Sequence, residues 1–232
     1  MSRTLKIAPA PAARAARSDG QETKRALLDA AGPVFARVGY ARATSKEICA
    51  LAGADAAAVN YHFGGKAALY QAVLVEAHRQ LFSVDELRAI ALQKGSPKAR
   101  LESLLRMLMA RIQDPSRQGA PGGQGWGLRV LVHEILAPSE HAPPALRKAV
   151  LPKVQIVFGL IADVLGVPPD HPAVQRAVAL VMMPCIMLLV VPVPLRQIVL
   201  PTIAKDPQAM LDDVLAYVFA GLAALRTRHA SR

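Results

Sequence analysis

The sequence predicts an all-α fold, and three observations support this class. Apolar residues recur at the spacing of helix faces, alanine and leucine dominate, and no stretch alternates strictly as a half-buried strand does. The chain has 232 residues, of which 53% are hydrophobic, so it can bury one large core or two smaller ones. We therefore expect helices throughout, joined by turns rich in proline and glycine.

The N-terminal third opens with a basic arm and a long helix. Residues 1–20 carry basic side chains but no apolar run of signal-peptide length, which predicts a disordered arm. Residues 22–38 carry an apolar stripe that predicts the first helix, ended by Gly39. Pro33 lies inside this helix, where its missing N–H predicts a kink. The stripe consists of Leu27, Ala30, Ala31, Val34 and Val38.

Two short helices and a longer one follow. Thr44 and Glu47 have the spacing of a capping box, which predicts the start of a second helix that Gly53 ends. Asp55 suits the start of a third helix, which a glycine pair ends before a longer helix begins at Lys66. Two short helices joined by a small-residue turn, with a helix before them, form a helix-turn-helix unit. We assign residues 21–81 to this domain.

Residues 82–232 are expected to form a larger helical domain. A loop over 114–125 and a tight joint over 166–172 are rich in proline and glycine. The helices predicted between such joints are 98–112, 126–137, 144–165, 173–190 and 207–227.

The third helix has the composition of a helix that reads DNA. Val59 and Phe63 are needed on its buried side, which leaves the small and polar residues outward. Alanines let a helix approach the major groove, and the polar side chains can bond to bases and phosphates. Lys66 lies at a helix start that favours an anion. The predicted DNA contacts are Arg42, Thr44, Ala56, Ala57, Asn60, Tyr61, His62 and Lys66.

The net charge of +11 agrees with a polyanionic partner without locating the site. Subtracting the number of acidic residues (aspartate and glutamate) from the number of basic residues (lysine and arginine) gives 11 − 6 = +5 for residues 1–80. The same subtraction gives 17 − 11 = +6 for residues 81–232. The N-terminal third is therefore only modestly richer in positive charge.

The stretch AGADAAAVNYHFGGKAALY, residues 52–70, resembles the signature of the tetracycline-repressor (TetR) family. The words NYHFGGK and HEILAPSE resemble one branch of that family. The resemblance covers about residues 22–81. It implies a cytoplasmic, homodimeric transcriptional regulator, usually a repressor, which a small molecule in the C-terminal domain releases from a palindromic operator. Many relatives have Ser or Thr where this chain has Asp55, and an acid at that position repels nearby phosphate.

The C-terminal domain is expected to hold a mostly apolar cavity between helices 98–112, 126–137 and 173–190, with the 114–125 loop at its mouth. A hydrophobic, aromatic or weakly anionic effector would suit it. Each assignment has an alternative: a surface pair for Arg129 and His133, and a core role for Trp126 and the methionines. The candidate effector contacts are Met107, Arg111, Trp126, Arg129, His133 and Met183.

Residues 177–195 form a stretch without charge, and the length of this stretch is near that of a membrane span. Three prolines interrupt them, and no second such stretch is apparent, so a buried or subunit-interface helix is the preferred interpretation. We expect a two-fold dimer made by helices 173–190 and 207–227, and no membrane partner. The alternatives are a small membrane-associated helical protein, which would need detergent, and a DNA-binding activator without a ligand.

The sequence does not indicate an enzyme. His133 and Glu134 lack the second histidine of the HExxH motif, and neither a P-loop nor GxSxG occurs. A metal site built from His133, Glu134 and His141 is disfavoured. Cys49 and Cys185 form neither a disulfide framework nor a CxxC pair, which favours a reduced, cytoplasmic protein. No cofactor or metal is expected.

Overall fold

A computed structural model describes residues 11–114, 125–191 and 193–230, and within these ranges every regular element is a helix. The all-α prediction is therefore confirmed. The helices are α1 (Pro11–Arg42), α2 (Ser45–Ala52), α3 (Ala58–Phe63), α4 (Lys66–Leu81), α5 (Val84–Ala91), α6 (Pro97–Gln113), α7 (Trp126–Leu136), α8 (Ala142–Leu165), α9 (Pro172–Val190), α10 (Val193–Val199), α11 (Pro201–Lys205) and α12 (Pro207–Ala230).

One prediction for the N-terminal segment is wrong, and another is confirmed. Residues 11–20, expected to be disordered, form the first turns of α1, while residues 1–10 lie outside the described part. The interruption of α1 lies at Gly39, where the sequence predicted the end of the helix: its φ of 71° and ψ of 174° are not helical, whereas the backbone angles at Pro33 are helical. A positive φ costs glycine little and other residues much. The chain therefore bends at the glycine, six residues after the proline.

The C-terminal helices lie where apolar periodicity placed them, with ends shifted by at most three residues. Three short helices, α5, α10 and α11, were not predicted. A capping box starts α5: the Ser83 hydroxyl accepts from the Glu86 N–H at 3.1 Å, and the Glu86 carboxylate accepts from the Ser83 N–H at 2.7 Å. This box was legible in the sequence as Ser-x-x-Glu. The predicted 114–125 loop lies almost wholly outside the described residues.

Apolar side chains form two cores, and α7 contributes to the N-terminal one. That core unites α1 to α4 with Trp126, Val130 and Leu131. The second core unites α5, α6, α8, α9 and α12. The boundary predicted at residue 81 therefore does not separate the packing of the two domains, because three residues of the C-terminal domain complete the N-terminal core.

Trp126 is the largest of these residues, and it packs directly on Gly32 of α1. Its side chain is buried, and a Cβ at Gly32 would come within 2.3 Å of the indole ring. Position 32 therefore has room for glycine alone. This contact fixes the start of α7 against the middle of α1.

A buried polar contact between α4 and α7 is a second link between the N-terminal helices and α7. The Tyr70 hydroxyl donates to Glu134 Oε2 at 2.7 Å, and the Ser139 N–H donates to Glu134 Oε1 at 2.8 Å. Burial, followed by the neighbouring Glu134 carboxylate, raises the pKa of Tyr70. The Phe35 ring meets the Tyr70 ring edge-on at a centroid distance of 4.8 Å, and the Tyr40 ring lies tilted against it at 5.0 Å. Glu134 thus serves packing and is not free for chemistry.

Two helices in the described ranges are long and apolar enough to cross a membrane by composition: 172–190, which is α9, and 207–229 within α12. Their most apolar windows are 33% and 22% buried. The sequence had singled out only the first. Such low burial within one subunit means that both helices present apolar surface for another molecule to cover.

Candidate nucleic-acid interface

The helix-turn-helix unit begins at Thr44, which has extended backbone angles and caps α2. Its hydroxyl accepts from the Glu47 N–H at 3.2 Å. The Glu47 carboxylate does not return to the Thr44 N–H, as a full capping box would require; it pairs with the Arg37 guanidinium. The predicted box is therefore half formed, and its acidic member links α2 to α1.

The turn between α2 and α3 is closed by backbone hydrogen bonds. Gly53 has a φ of 63°, and the N–H of Ala54 reaches back to the Cys49 carbonyl at 2.9 Å, as in a Schellman motif. Asp55 then accepts the N–H of Ala57 through its side chain at 2.8 Å. Asp55 therefore orders the turn before α3 and does not act as the helix cap that the sequence predicted.

The six-residue α3 separates an inward and an outward side as predicted. Ala58 and Val59 are buried, and Phe63 packs partly against the N-terminal core. Tyr61 is 85% exposed, and its ring meets the edge of His62 at 4.9 Å. The remaining predicted contacts on this segment, Ala56, Ala57 and Asn60, are exposed. The outward side of α3 thus carries small residues at its start and aromatic and polar residues at its end.

Lys66 makes contacts that were not predicted. Its Nζ donates to the carbonyls of Tyr40 at 3.1 Å and Ala43 at 2.9 Å, and it lies 4.4 Å from the Tyr40 ring centroid. These contacts hold the end of α1 and the residues before α2 in place. They give Lys66 a structural role, and its phosphate contact stays a prediction.

Two exposed basic residues lie near the start of α2. Arg42 donates from Nε to the Val38 carbonyl at 3.2 Å, which leaves its other nitrogens outward. Lys46 is exposed in the first turn of α2 and forms no ion pair within the described residues. The sequence interpretation omitted Lys46, although a basic residue two positions after the predicted helix cap was a readable signal.

Acidic side chains lie beside one edge of the outward side of α3. A concavity of about 670 Å³ between α1 and the turn before α3 is lined by Asp19, Glu22 and Asp55 together with Tyr61 and His62. Its three carboxylates repel phosphate. A DNA backbone beside α3 is therefore better accommodated on the Arg42 and Lys46 side than over this concavity.

A separate cavity of about 250 Å³ lies where the sequence expected an effector, between the ends of α6, α7 and α9. Arg129 and His133, both predicted, contribute to its wall. His133 also reaches the N-terminal domain, because its Nε2 lies 3.1 Å from the Ala36 carbonyl of α1. The lining is completed by Ile112, Leu128, Val132, Leu136, Leu188, Leu189, Val190, Val191 and Arg196.

The other four predicted effector residues do not line this cavity. Trp126 packs in the N-terminal core, and Met107 packs beside the C-terminal core. Arg111 bonds to the Leu81 carbonyl and the Glu86 carboxylate, so it ties α6 to α4 and α5. Met183 is 60% exposed on α9. Periodicity gives the helix face of a residue but not which neighbouring helix it meets, and this explains the four corrections.

Comparison with known proteins agrees with this geometry. Residues 27–73 match the family described as "Bacterial regulatory proteins, tetR family". The HTH-type transcriptional regulator TtgR of Pseudomonas putida is 38% identical over 65 residues, which cover 28% of this chain and 31% of TtgR. The aligned segment thus spans about a third of the length of this curated relative.

Solved structures share the fold over most of the chain. A structure from Pseudomonas aeruginosa PAO1, named as a transcriptional regulator, has a TM-score of 0.64 at 18% identity and covers 88% of this chain and 92% of its own. SmeT in complex with triclosan has a TM-score of 0.57 at 19% identity and covers 84% and 90%. SmeT is the repressor of a Stenotrophomonas maltophilia multidrug efflux pump.

At these identities the structures show the fold alone, whereas the match over 27–73 is one of sequence and coincides with the helix-turn-helix unit. Residues 27–73 of this chain match the family of bacterial regulatory proteins described as tetR, and a curated transcriptional regulator is similar over 65 residues of the chain.

Proposed function

We propose that the chain is a cytoplasmic transcriptional regulator that binds a palindromic DNA operator as a homodimer and acts as a repressor released by a small molecule. The observation that carries this proposal is the outward side of α3, where exposed Tyr61 and Asn60 follow two exposed alanines. The helix lies within the segment that matches the tetR family. A small molecule bound to SmeT and its role as a repressor support the second half of the proposal.

Selection of genomic DNA fragments by the purified chain tests the DNA-binding half. We expect enrichment of one sequence with two-fold symmetry, because each subunit would present one α3 to one half-site. Affinity for the selected fragment should fall steeply with salt, since each neutralised phosphate releases counterions. Recovery of random fragments alone would contradict sequence-specific regulation.

The proposed dimer is built by α9 and α12. Leu180 and Met183 on α9 and Tyr217 on α12 are more than half exposed, although all three are large and apolar. A groove of about 360 Å³ between the two helices is lined by Leu180, Tyr217 and their apolar neighbours. A two-fold contact would cover the same groove on both subunits.

Leu180→Asp is expected to convert the dimer to a monomer at micromolar concentration, because the dimer would bury two unpaired carboxylates. Light scattering coupled to size exclusion measures the mass directly. Leu92→Asp is the matched control, since Leu92 is 83% exposed on the C-terminal cap of α5. A monomeric wild-type protein, or an unchanged dimer in the Leu180 variant, would contradict this interface.

The same apolar surface also suits the alternative of a membrane-associated protein. Solubility separates the two: the regulator is expected to purify without detergent, because its apolar helices cover each other in the dimer. A protein that is recovered only from the membrane fraction would favour the alternative. An activator without a ligand would share the DNA-binding unit and would give a tight complex that no effector weakens.

The proposed release of DNA has a physical route through α7. This helix places His133 and Arg129 in the cavity wall and Trp126 and Val130 in the N-terminal core. A ligand that shifts α7 therefore moves the surface on which α1 packs. By linkage, an effector that weakens DNA binding must itself bind more weakly to the DNA complex, by the same coupling free energy.

A further inference from the structure

The cavity between α6, α7 and α9 contains a buried cation that takes no part in the proposed DNA binding or dimerisation. Arg196 projects from α10 and is only 8% exposed. Its Nη1 donates to the Leu188 carbonyl at 2.8 Å. Its Nε and Nη2 have no hydrogen-bond partner among the residues that the structure describes. Two donor nitrogens of a nearly buried guanidinium are therefore available to a ligand.

The charge of Arg196 is not balanced within the cavity. Arginine stays protonated in proteins, and a buried cation is costly unless an anion or several acceptors compensate it. Among the described residues, the cavity wall includes Arg129 and His133 but no aspartate or glutamate. The polar part of the wall is thus basic throughout, and the remaining lining residues are isoleucine, leucine and valine.

We infer that this cavity binds a small organic anion, a monocarboxylate with an apolar body, and that Arg196 is its anchor. The carboxylate accepts from the free edge of the Arg196 guanidinium, whose planar donors match two carboxylate oxygens. Arg129, at the exposed side of the cavity, adds a second positive charge. The apolar body lies against the leucine and valine side chains from α7 and α9.

The basic wall distinguishes this ligand class from a neutral apolar one. A neutral molecule would fill the same volume but would leave the Arg196 donors without an acceptor. A cationic ligand would be unfavourable, because the three polar groups of the wall are basic and repel positive charge. The cavity is also too small for a large polyanion, since about 250 Å³ lies below the usual range of drug-sized sites, which is roughly 300 to 1,000 Å³.

Calorimetric titration of the full-length chain with two matched ligand pairs tests this inference: octanoate against octanamide, and benzoate against benzamide. In at least one pair the acid should bind about tenfold more tightly than its amide, because a charge-assisted hydrogen bond replaces a neutral one. Arg196→Met, which keeps the volume and removes the charge, should abolish that preference. Arg147→Gln is the matched control, since Arg147 is exposed on α8 outside the cavity.

Arg129→Gln provides a variant that cannot fail through loss of buried packing, because Arg129 is exposed. It should weaken binding of the acid severalfold and leave the amide unchanged. Equal affinity for acid and amide in both pairs would overturn the inference. Failure of all four compounds to bind a protein that still binds DNA would also overturn it.

The effect on DNA rests on the proposed function and is measured separately. If the preferred acid binds with the expected Arg196 dependence and lowers affinity for the selected operator, both proposals are supported. If it binds in this way and operator affinity is unchanged, the anion site stands and the proposed release mechanism fails.

Discussion

Trp126→Ala is expected to lower the free energy of unfolding by about 3–5 kcal/mol, the usual cost of removing a large buried aromatic side chain. The indole fills the space above Gly32 and closes the N-terminal core from the side of α7. Its loss leaves a cavity at the contact between the two domains. Chemical denaturation followed by circular dichroism gives the difference directly.

Gly32→Ala tests the same contact from the other side. Its new Cβ would lie within 2.3 Å of the indole ring, so the tryptophan or α1 must move. Overpacking of this kind typically costs about 1–3 kcal/mol. The exposed Leu92→Ala serves as the control. Wild-type stability in both junction variants would show that Trp126 does not hold the domains together.

Lys66→Met is expected to destabilise the N-terminal domain, because it removes two hydrogen bonds from a charged donor to the carbonyls of Tyr40 and Ala43. Hydrogen bonds to charged groups contribute about 1.5–3 kcal/mol each, and the partial exposure of Lys66 favours the lower end. Thermal melting measures the loss. Affinity for operator DNA should fall in proportion to the misfolded fraction, with little change in its salt dependence.

Lys46→Met is the informative partner of this variant. Lys46 is exposed and unpaired with any acid in the described ranges, so its removal should leave the melting temperature unchanged. If it contacts a phosphate in each subunit, the slope of log affinity against log salt should become shallower by about two. A changed salt slope for Lys66→Met with wild-type stability would support the phosphate contact that the sequence suggested.

The difference between these two lysines shows what sequence could predict. Helix positions followed from apolar periodicity, because a helix needs a continuous buried stripe whatever it packs against. Tyr61 faced outward as expected, since Val59 and Phe63 had to face inward. These inferences use only residues of one short segment.

Most of the failures at the candidate sites involve contacts between distant segments. Lys66 meets carbonyls 23 and 26 residues away, and Arg111 meets a carbonyl and a carboxylate 30 and 25 residues away. Trp126 packs on Gly32 across the domain boundary. Arg196, the basic residue on which the anion site depends, directly follows the uncharged stretch 177–195, and nothing in the local sequence indicates its place in the cavity. No local pattern specifies such partners, because tertiary packing alone decides them.

Fluorescence anisotropy of the selected operator with the wild-type chain and Tyr61→Ala tests the central claim most directly, namely that α3 reads DNA. Tyr61 is 85% exposed and its ring contacts only the neighbouring His62 among the described aromatic residues, so its loss should leave circular dichroism and dimer mass unchanged. Operator affinity should fall about tenfold to a hundredfold, the range for one good contact in each half-site. Wild-type affinity in a folded, dimeric Tyr61→Ala protein would show that α3 does not lie in the groove, and would contradict the account.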